Sequence, residues 1–420
     1  MDIKEIKRLF EKCECQKEHT CPIDNVVIGK NALGTLEKMC ENYNSVLLVS
    51  DNNTYDVCGK DVYALLKNKV NNNLVFDTGD KVLIPDEKAI KTIENNITKQ
   101  IDLIVGVGSG VINDLCKYVS YFHKLPYFIV ATAPSMDGYA SVGAAMILNG
   151  MKVTVNTRPP KAIFADVNVL KNAPIDMLKA GYGDIIGKFS CLNDWKLSAL
   201  VNDEYFCEKI YNLTLKCAMD IKDKAKNILS KEESAVSKLM EALVTVGILM
   251  SFADSSRPAS GSEHHLSHFF EITGILENKE YFAHGIDVIY STYYTQKIRE
   301  ELLKLKAPLQ NKVISMIDYE NKIKNIYSAI ADEVFALQNK LGWYNNNKFD
   351  IYRKKWDEIR SILTEAPSSS EIKSYIESIG LDLEDFITMY GEEKITNAIW
   401  FAKDLKDRYS VLWLNFELNY

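Results

Sequence analysis

The chain has 420 residues, of which 47% are hydrophobic and 25% charged, with a formal net charge of −7. This length and apolar content suffice for two domains with separate cores, and a net negative charge without a dense basic run argues against a nucleic-acid partner. The opening stretch MDIKEIKRLFEKCEC is charged and amphipathic, without a signal core. No uninterrupted apolar stretch of about 18 residues stands out, so the expectation is a cytoplasmic protein without a membrane span.

In chain order, the first notable cluster is Cys13, Cys15, His19 and Cys21, four soft metal ligands in a short span. Its C-x-C start lacks the C-x-x-C turn of zinc knuckles, and no function is assigned to it. The other cysteines, among them Cys116, Cys191 and Cys217, lie in apolar helical patterns and read as reduced core residues. VVIGKNALGTL looks like a strand leading into a helix. SVLLVSD, NLVFDTG, IDLIVGVGSG and YFIVATAPS are apolar runs of strand length separated by amphipathic segments, which predicts βαβ units and a parallel sheet covered on both faces. Alternating apolar residues around Asn149-Gly150 predict a hairpin. After Pro174 the apolar spacing turns helical. Two domains are expected, an α/β domain over residues 1–165 and a helical domain over 166–420, meeting in a cleft near residues 160–175, the usual setting for a small-molecule site.

The strand-to-helix turn at Gly106, Gly108 and Gly110 suits close approach of a diphosphate to backbone N–H groups at a helix N-terminus. The same turn also arises for packing. Asp51 ends an early apolar run, where a carboxylate can accept hydrogen bonds from a ribose and repel a 2′-phosphate, favouring NAD over NADP; a helix N-cap is the alternative. In ATAPSMDGYAS, Thr132, Ser135 and Ser141 can line a cofactor path, and Asp137 offers a carboxylate beside Gly138, in a sequence that also forms Asx turns.

Four of the six histidines, His264, His265, His268 and His284, fall close together. His264 and His268 are four apart and share one helix face, onto which His284 can fold back. With Asp184, two imidazoles make a ligand set suited to zinc, nickel or ferrous iron, leaving positions open for substrate. Asp184 and Lys188, also four apart, read alternatively as a surface ion pair of little energy.

The segments TAPSMDGYAS, KAIFADVNVLKNAPIDMLKAGYGDIIGKFSCLNDWKLS, SRPASGSEHHLSH and KDLKDRYSVLWL together resemble the dehydroquinate synthase and iron-type alcohol dehydrogenase superfamily, and within it the sn-glycerol-1-phosphate dehydrogenases. The resemblance covers nearly the whole chain. It implies a Rossmann-like α/β N-terminal domain and an all-α C-terminal domain (dehydroquinate synthase-like), binding NAD, with NADP as the alternative, and one divalent metal, zinc, nickel or iron. It further implies metal ligation by Asp184, His264 and His284, with Asp137, Asp184 and His268 at the substrate. The cofactor would lie along Asp51, Gly108, Ser109, Gly110, Val111, Ile112, Asn113, Asp114, Thr132, Ser135 and Ser141. The loop GVGSGVIND departs from the uninterrupted glycine triplet of the family. The implied reaction interconverts dihydroxyacetone phosphate and sn-glycerol 1-phosphate, in a homodimer or higher homo-oligomer. Lys152, Lys188, Arg257 and His268 are candidates for the substrate phosphate by charge alone. Glycerol dehydrogenase and 3-dehydroquinate synthase share the implied fold, and a non-catalytic descendant of it is a third rival.

Overall fold

The computed structural model of the chain describes residues 3–79, 81–148, 151–309, 315–345 and 348–419. They fall into two compact units, Met1–Tyr182 with Lys226–Ser256, and Gly183–Ala225 with Arg257–Tyr420. The expected break at residue 165 thus lies inside the first unit. Residues 226–256, expected among the helical half, belong to the first unit as well.

Among the described residues the strands are β1 (Asn25–Ile28), β2 (Val46–Asp51), β3 (Val70–Phe76), β4 (Leu103–Gly108), β5 (Tyr127–Ala131), β6 (Gly143–Leu148), β7 (Met151–Asn156) and β8 (Ala162–Ala165). Six of them form one sheet in the order β1-β8-β5-β4-β2-β3, parallel at every pairing. β4 and β5 are buried along their whole length and β2 along all but its last residue, as continuous apolar runs require when helices cover both faces. β3, at the edge, alternates in burial and carries Asn71, Asn72 and Asn73. Polar residues on such an edge discourage further strand pairing. β6 and β7 pair antiparallel as the predicted hairpin, while its turn, Asn149-Gly150, lies outside the described residues.

From β2 the chain moves outward to β3 and then returns across β2 to β4 on the other side. The strand order therefore reverses between β2 and β4. In open parallel sheets ligands bind beyond the carboxyl ends of the strands at such a reversal, and here those ends are Asp51 and Gly108.

The helices that position functional groups are α1 (Ile3–Phe10), α2 (Gly110–Phe122), α3 (Ile175–Ile186), α4 (Lys188–Asn202), α5 (Glu233–Ala253), α6 (Ser262–Glu277), α7 (His284–Leu303), α8 (Leu383–Phe401) and α9 (Val411–Asn419). α5 is long and apolar enough to cross a bilayer by length and composition, although Glu233, Lys238 and Glu241 interrupt its apolar run. Most of its residues are buried, which accounts for an apolar character on every side. A Cβ at Gly247 would sit 2.5 Å from the Asp137 carbonyl oxygen, so glycine lets α5 lie directly against the single 3-10 turn Asp137–Ala140. Ser251 Oγ donates to the Ala140 carbonyl at 2.9 Å and fixes that contact.

The second unit is helical throughout its described residues and is organised around Asp194 on α4, fully buried. Its Oδ2 accepts from the Ser262 N–H at 2.6 Å, at the start of α6, and its Oδ1 from the Val411 N–H at 2.9 Å, at the start of α9. Arg299 on α7, also buried, donates to Oδ1 at 2.7 Å, to Asn193 Oδ1 at 2.9 Å and to the Ser190 carbonyl at 3.1 Å. Asp194→Ala strands the guanidinium and two helix starts in a dry interior. The expected loss is about 3–5 kcal/mol of unfolding free energy, read as a lowered urea midpoint.

Candidate functional site

The turn from α6 to α7 brings the predicted histidines together. α6 ends with Asn278 in the left-handed region at φ 51°, and α7 begins at His284. The ring centroids of His264 and His284 are 5.0 Å apart, those of His268 and His284 5.5 Å, and those of His264 and His268 6.3 Å. Asp184, His264 and His284 each offer a ligand atom, all within 4.8 Å of one another. His264 Nε2 lies 3.7 Å from Asp184 Oδ1.

Glycines explain how Asp184 comes so close. A Cβ on Gly183 would stand 2.1 Å from the Gly285 carbonyl oxygen, and one on Gly187 2.5 Å from Val288 Cγ1. The end of α3 and the start of α7 therefore touch backbone to backbone, which places Asp184 beside His284. The glycine-rich GYGDIIGK is thus a packing device whose product is the ligand cluster.

The polar surroundings of the cluster are closed. Lys188 donates to Asp184 Oδ1 at 2.6 Å and to the Ala259 carbonyl at 3.0 Å, with both side chains of the pair fully buried. A surface ion pair is ruled out by that burial. Burial works to raise the Asp184 carboxyl, but Lys188 above all, then His264 and His284, hold it below its usual value. Glu263 Oε1 lies 2.6 Å from His264 Nδ1 and also accepts from the Gly261 N–H at 2.8 Å. A carboxylate at Nδ1 fixes the tautomer with its proton there and turns the Nε2 lone pair toward Asp184. Burial, with Lys188 and His284 close by, pushes His264 well below the usual imidazole value, so the ring is neutral at pH 7.

Of the adjacent pair, His264 is the one that groups with Asp184 and His284. His265 is fully buried, and the cations nearest it are Arg408, Lys406 and Arg257. His268 keeps 14% side-chain exposure, with Nδ1 3.6 Å from Glu271 Oε2. Tyr390 on α8 donates to the Asp287 carboxylate at 2.9 Å, bracing the first turn of α7 behind His284.

In the first unit, β4 runs into α2 through Ser109, whose side chain makes no capping hydrogen bond. The N–H groups of the first turn thus point outward without a side-chain cap, as an anion site requires. The three glycines differ in role. Cβ atoms at Gly106 and Gly108 would strike Cys116 Sγ at 2.9 Å and Ile112 Cβ at 2.6 Å, whereas one at Gly110 would meet only Met136, at 3.6 Å. Gly106 and Gly108 serve packing, and Gly110 leaves backbone open to a ligand.

The remaining predicted residues divide similarly. Asp51 is the N-cap of the turn Asn52–Thr54, its Oδ1 accepting from the Thr54 N–H at 2.8 Å. Asn113 and Asp114 are turned toward the segment after β5: Asp114 Oδ2 accepts from the Ala145 N–H at 3.2 Å, and Asn113 Nδ2 donates to Asp114 Oδ1 at 3.1 Å. Buried Lys117 donates to the Gly138 and Gly143 carbonyls, each at 2.8 Å, and Ser141 Oγ donates to Gly138 at 3.1 Å. Ile112 is buried beneath Gly108, and Val111 is half-buried. Thr132 N–H donates to the Gly108 carbonyl at 3.1 Å, and half-buried Ser135 hydrogen-bonds Tyr139. Two phosphate candidates are corrected. Arg257 is buried against Glu204 and the Tyr409 carbonyl, and Lys188 is spent on Asp184. The Lys152 side chain lies outside the described residues.

Residues 27–174 match the family model described as iron-containing alcohol dehydrogenase. A glycerol-1-phosphate dehydrogenase (NAD(P)+) of Halalkalibacterium halodurans is 30% identical over 417 residues, covering 98% of this chain and 97% of that one. The chain belongs to the glycerol-1-phosphate dehydrogenase family. The iron-containing alcohol dehydrogenase of Thermococcus thioreducens shares its fold, with a TM-score of 0.63 at 12% identity over 96% of this chain and 100% of that one. So does the sulfoacetaldehyde reductase of Bifidobacterium kashiwanohense, solved with NAD+, with a TM-score of 0.59 at 13% identity over 95% and 97%.

Within this glycerol-1-phosphate dehydrogenase family member, sequence reasoning missed Glu263 and Asp194. The acid directly before His264 in SEHH was the available signal for the first; nothing local marks the second. Glu263→Gln is expected to keep the fold and weaken divalent-metal binding about 10–100-fold, measured by competition with a chromogenic chelator. Gly108→Ala is expected to cost about 1–3 kcal/mol of stability through overpacking. Gly110→Ala, by contrast, should leave the thermal midpoint unchanged and weaken NADH binding in fluorescence titration.

Proposed function

We propose that this protein is an oxidoreductase that interconverts dihydroxyacetone phosphate and sn-glycerol 1-phosphate with NAD(P)(H). Family membership over the full length supports the reaction class. The single structural observation that carries the reading is the buried convergence of Asp184, His264 and His284, a donor set that fits a divalent metal of the zinc, nickel or ferrous type.

When bound there, such a metal supplies Lewis acidity to the C2 oxygen of the substrate, and the dinucleotide supplies or takes the hydride at C2. Lys188 keeps Asp184 ionised, and Glu263 holds the proton on His264 Nδ1, so the ligand atoms are set before substrate arrives. His268, partly open and beside Glu271, is the group we assign to proton exchange with the substrate oxygen. Asp137, on the turn clamped by α5, remains the carboxylate assigned to substrate in the first unit. The uncapped first turn of α2 is assigned to the dinucleotide phosphates. Since Asp51 commits Oδ1 to its helix cap, Oδ2 is the oxygen that would meet the ribose.

The test is NADH oxidation by metal-reconstituted protein with dihydroxyacetone phosphate and, in parallel, with dihydroxyacetone, followed by chiral analysis of the product. Turnover confined to the phosphorylated ketone, yielding sn-glycerol 1-phosphate, is expected. His264→Ala should lower kcat/KM at least about 1,000-fold, a loss of about 4 kcal/mol of transition-state stabilisation, and chelation should abolish a rate that added metal restores. Equal or faster reduction of dihydroxyacetone would reassign the protein to glycerol dehydrogenation.

A further inference from the structure

The Cys/His cluster at the start of the chain takes on meaning in the fold. Past the end of α1, Cys13, Cys15 and His19 bring two sulfurs and one imidazole nitrogen within 4.8 Å of one another. Cys15 Sγ is 3.1 Å from His19 Nε2. His19 Nδ1 lies 2.9 Å from the Phe252 carbonyl oxygen, and a carbonyl only accepts. The ring proton therefore sits on Nδ1, and the Nε2 lone pair faces the sulfurs, the arrangement found behind metal-binding imidazoles.

The same segment is anchored on either side of that bond. Lys17 Nζ donates to the Ala253 carbonyl at 2.6 Å. The Phe10 ring packs against His19 with centroids 4.9 Å apart and against Phe252 at 4.6 Å. The imidazole is thus held at the C-terminal end of α5, where the helix dipole is negative. Two thiolates there would repel that end, and a divalent cation between them removes the repulsion. A tetrahedral zinc bound by sulfur and nitrogen sets its ligand atoms about 3.5 to 3.8 Å apart, a spacing that lies between the 3.1 Å of Cys15 Sγ to His19 Nε2 and the 4.8 Å limit of this cluster. Cys21, grouped with these residues by sequence, is buried, its thiol pushed up by that burial, and it stands outside the cluster.

We propose that Cys13, Cys15 and His19 bind a second metal ion, zinc by ligand type, separate from the Asp184-His264-His284 centre, and that it fastens the N-terminal segment to the end of α5. The fourth position is left to water or a further thiolate. This site is independent of the catalytic reading, and its test has its own readouts.

Full-length wild type, His264→Ala and Cys13→Ser/Cys15→Ser are reconstituted with zinc, and bound metal is counted by mass spectrometry. Two equivalents are expected for wild type and one for each variant. With cobalt(II) in place of zinc, a thiolate-to-metal charge-transfer band should appear in wild type and His264→Ala and vanish in the double cysteine variant. The cysteine variant should keep NADH-dependent turnover at 25 °C while losing thermal midpoint. A single equivalent in wild type that disappears in His264→Ala, a charge-transfer band that survives the cysteine substitutions, or a Cys13–Cys15 disulfide in peptide mapping of freshly isolated protein would each overturn the proposal. Because the cobalt band is read in wild type and in His264→Ala, a poorly folding cysteine variant would not shield the idea from refutation.

Discussion

Asp194 is the fixed point on which the helical unit depends. Its two oxygens hold the first N–H of α6, two residues ahead of His264, and the first N–H of α9, while Arg299 ties it to α7, the helix that begins at His284. One carboxylate thus references both histidine-bearing helices to α4. Burying a carboxylate and a guanidinium costs several kcal/mol for each ion, and their attraction offsets this only when the remaining donors are matched. They are matched here, by Asn193 and by the side chain and carbonyl of Ser190. The net gain in stability is therefore small. What the network fixes is the height and rotation of α6 and α7, hence where two imidazole nitrogens fall relative to Asp184.

The complementary constraint is the absence of side chains. Gly183 meets the Gly285 carbonyl, and Gly187 meets Val288 and Glu263, so one edge of α3 is stripped to let α7 approach. Any larger residue at Gly183 would move Asp184 from His284 by more than a ligand bond tolerates. The first unit uses the same device at Gly247, where α5 presses on the turn that carries Asp137. In both places glycine acts through what it permits a neighbour to do, since no positive φ marks either position.

Much of this was legible in the residues. Continuous apolar runs gave the buried parallel strands, and the spacing of His264 and His268 gave a shared helix face, because periodicity is set locally by the backbone. The role of each glycine was not legible: GVGSG reads as one motif, yet Gly106 and Gly108 are fixed by Cys116 and Ile112 and only Gly110 is open. Arg257 and Lys188 looked like phosphate donors because charge is visible in a sequence and burial is not. For Asp51 the N-cap alternative is the one observed, and capping through Oδ1 leaves its second oxygen outside that bond. α5 was legible as a helix whose apolar run is interrupted by Glu233, Lys238 and Glu241. Its membership of the first unit is set by side chains far away in sequence.

The two histidines that orient metal-ligand clusters share one device with different partners. Each has a Nδ1–H held by an oxygen, leaving Nε2 to face the cluster: Glu263 does this for His264, and the Phe252 carbonyl does it for His19. The choice of oxygen matters chemically. A carboxylate raises the basicity of the imidazole and adds negative charge beside it, which suits the centre proposed to hold a metal and the substrate oxygen. A helix-end carbonyl fixes orientation with far less charge. That suits a cluster already carrying two thiolates, where further negative charge would only add to the repulsion that its cation must neutralise. The difference between the partners matches the difference in donor sets, in keeping with the two roles proposed for them, a centre for chemistry and a clasp for the chain.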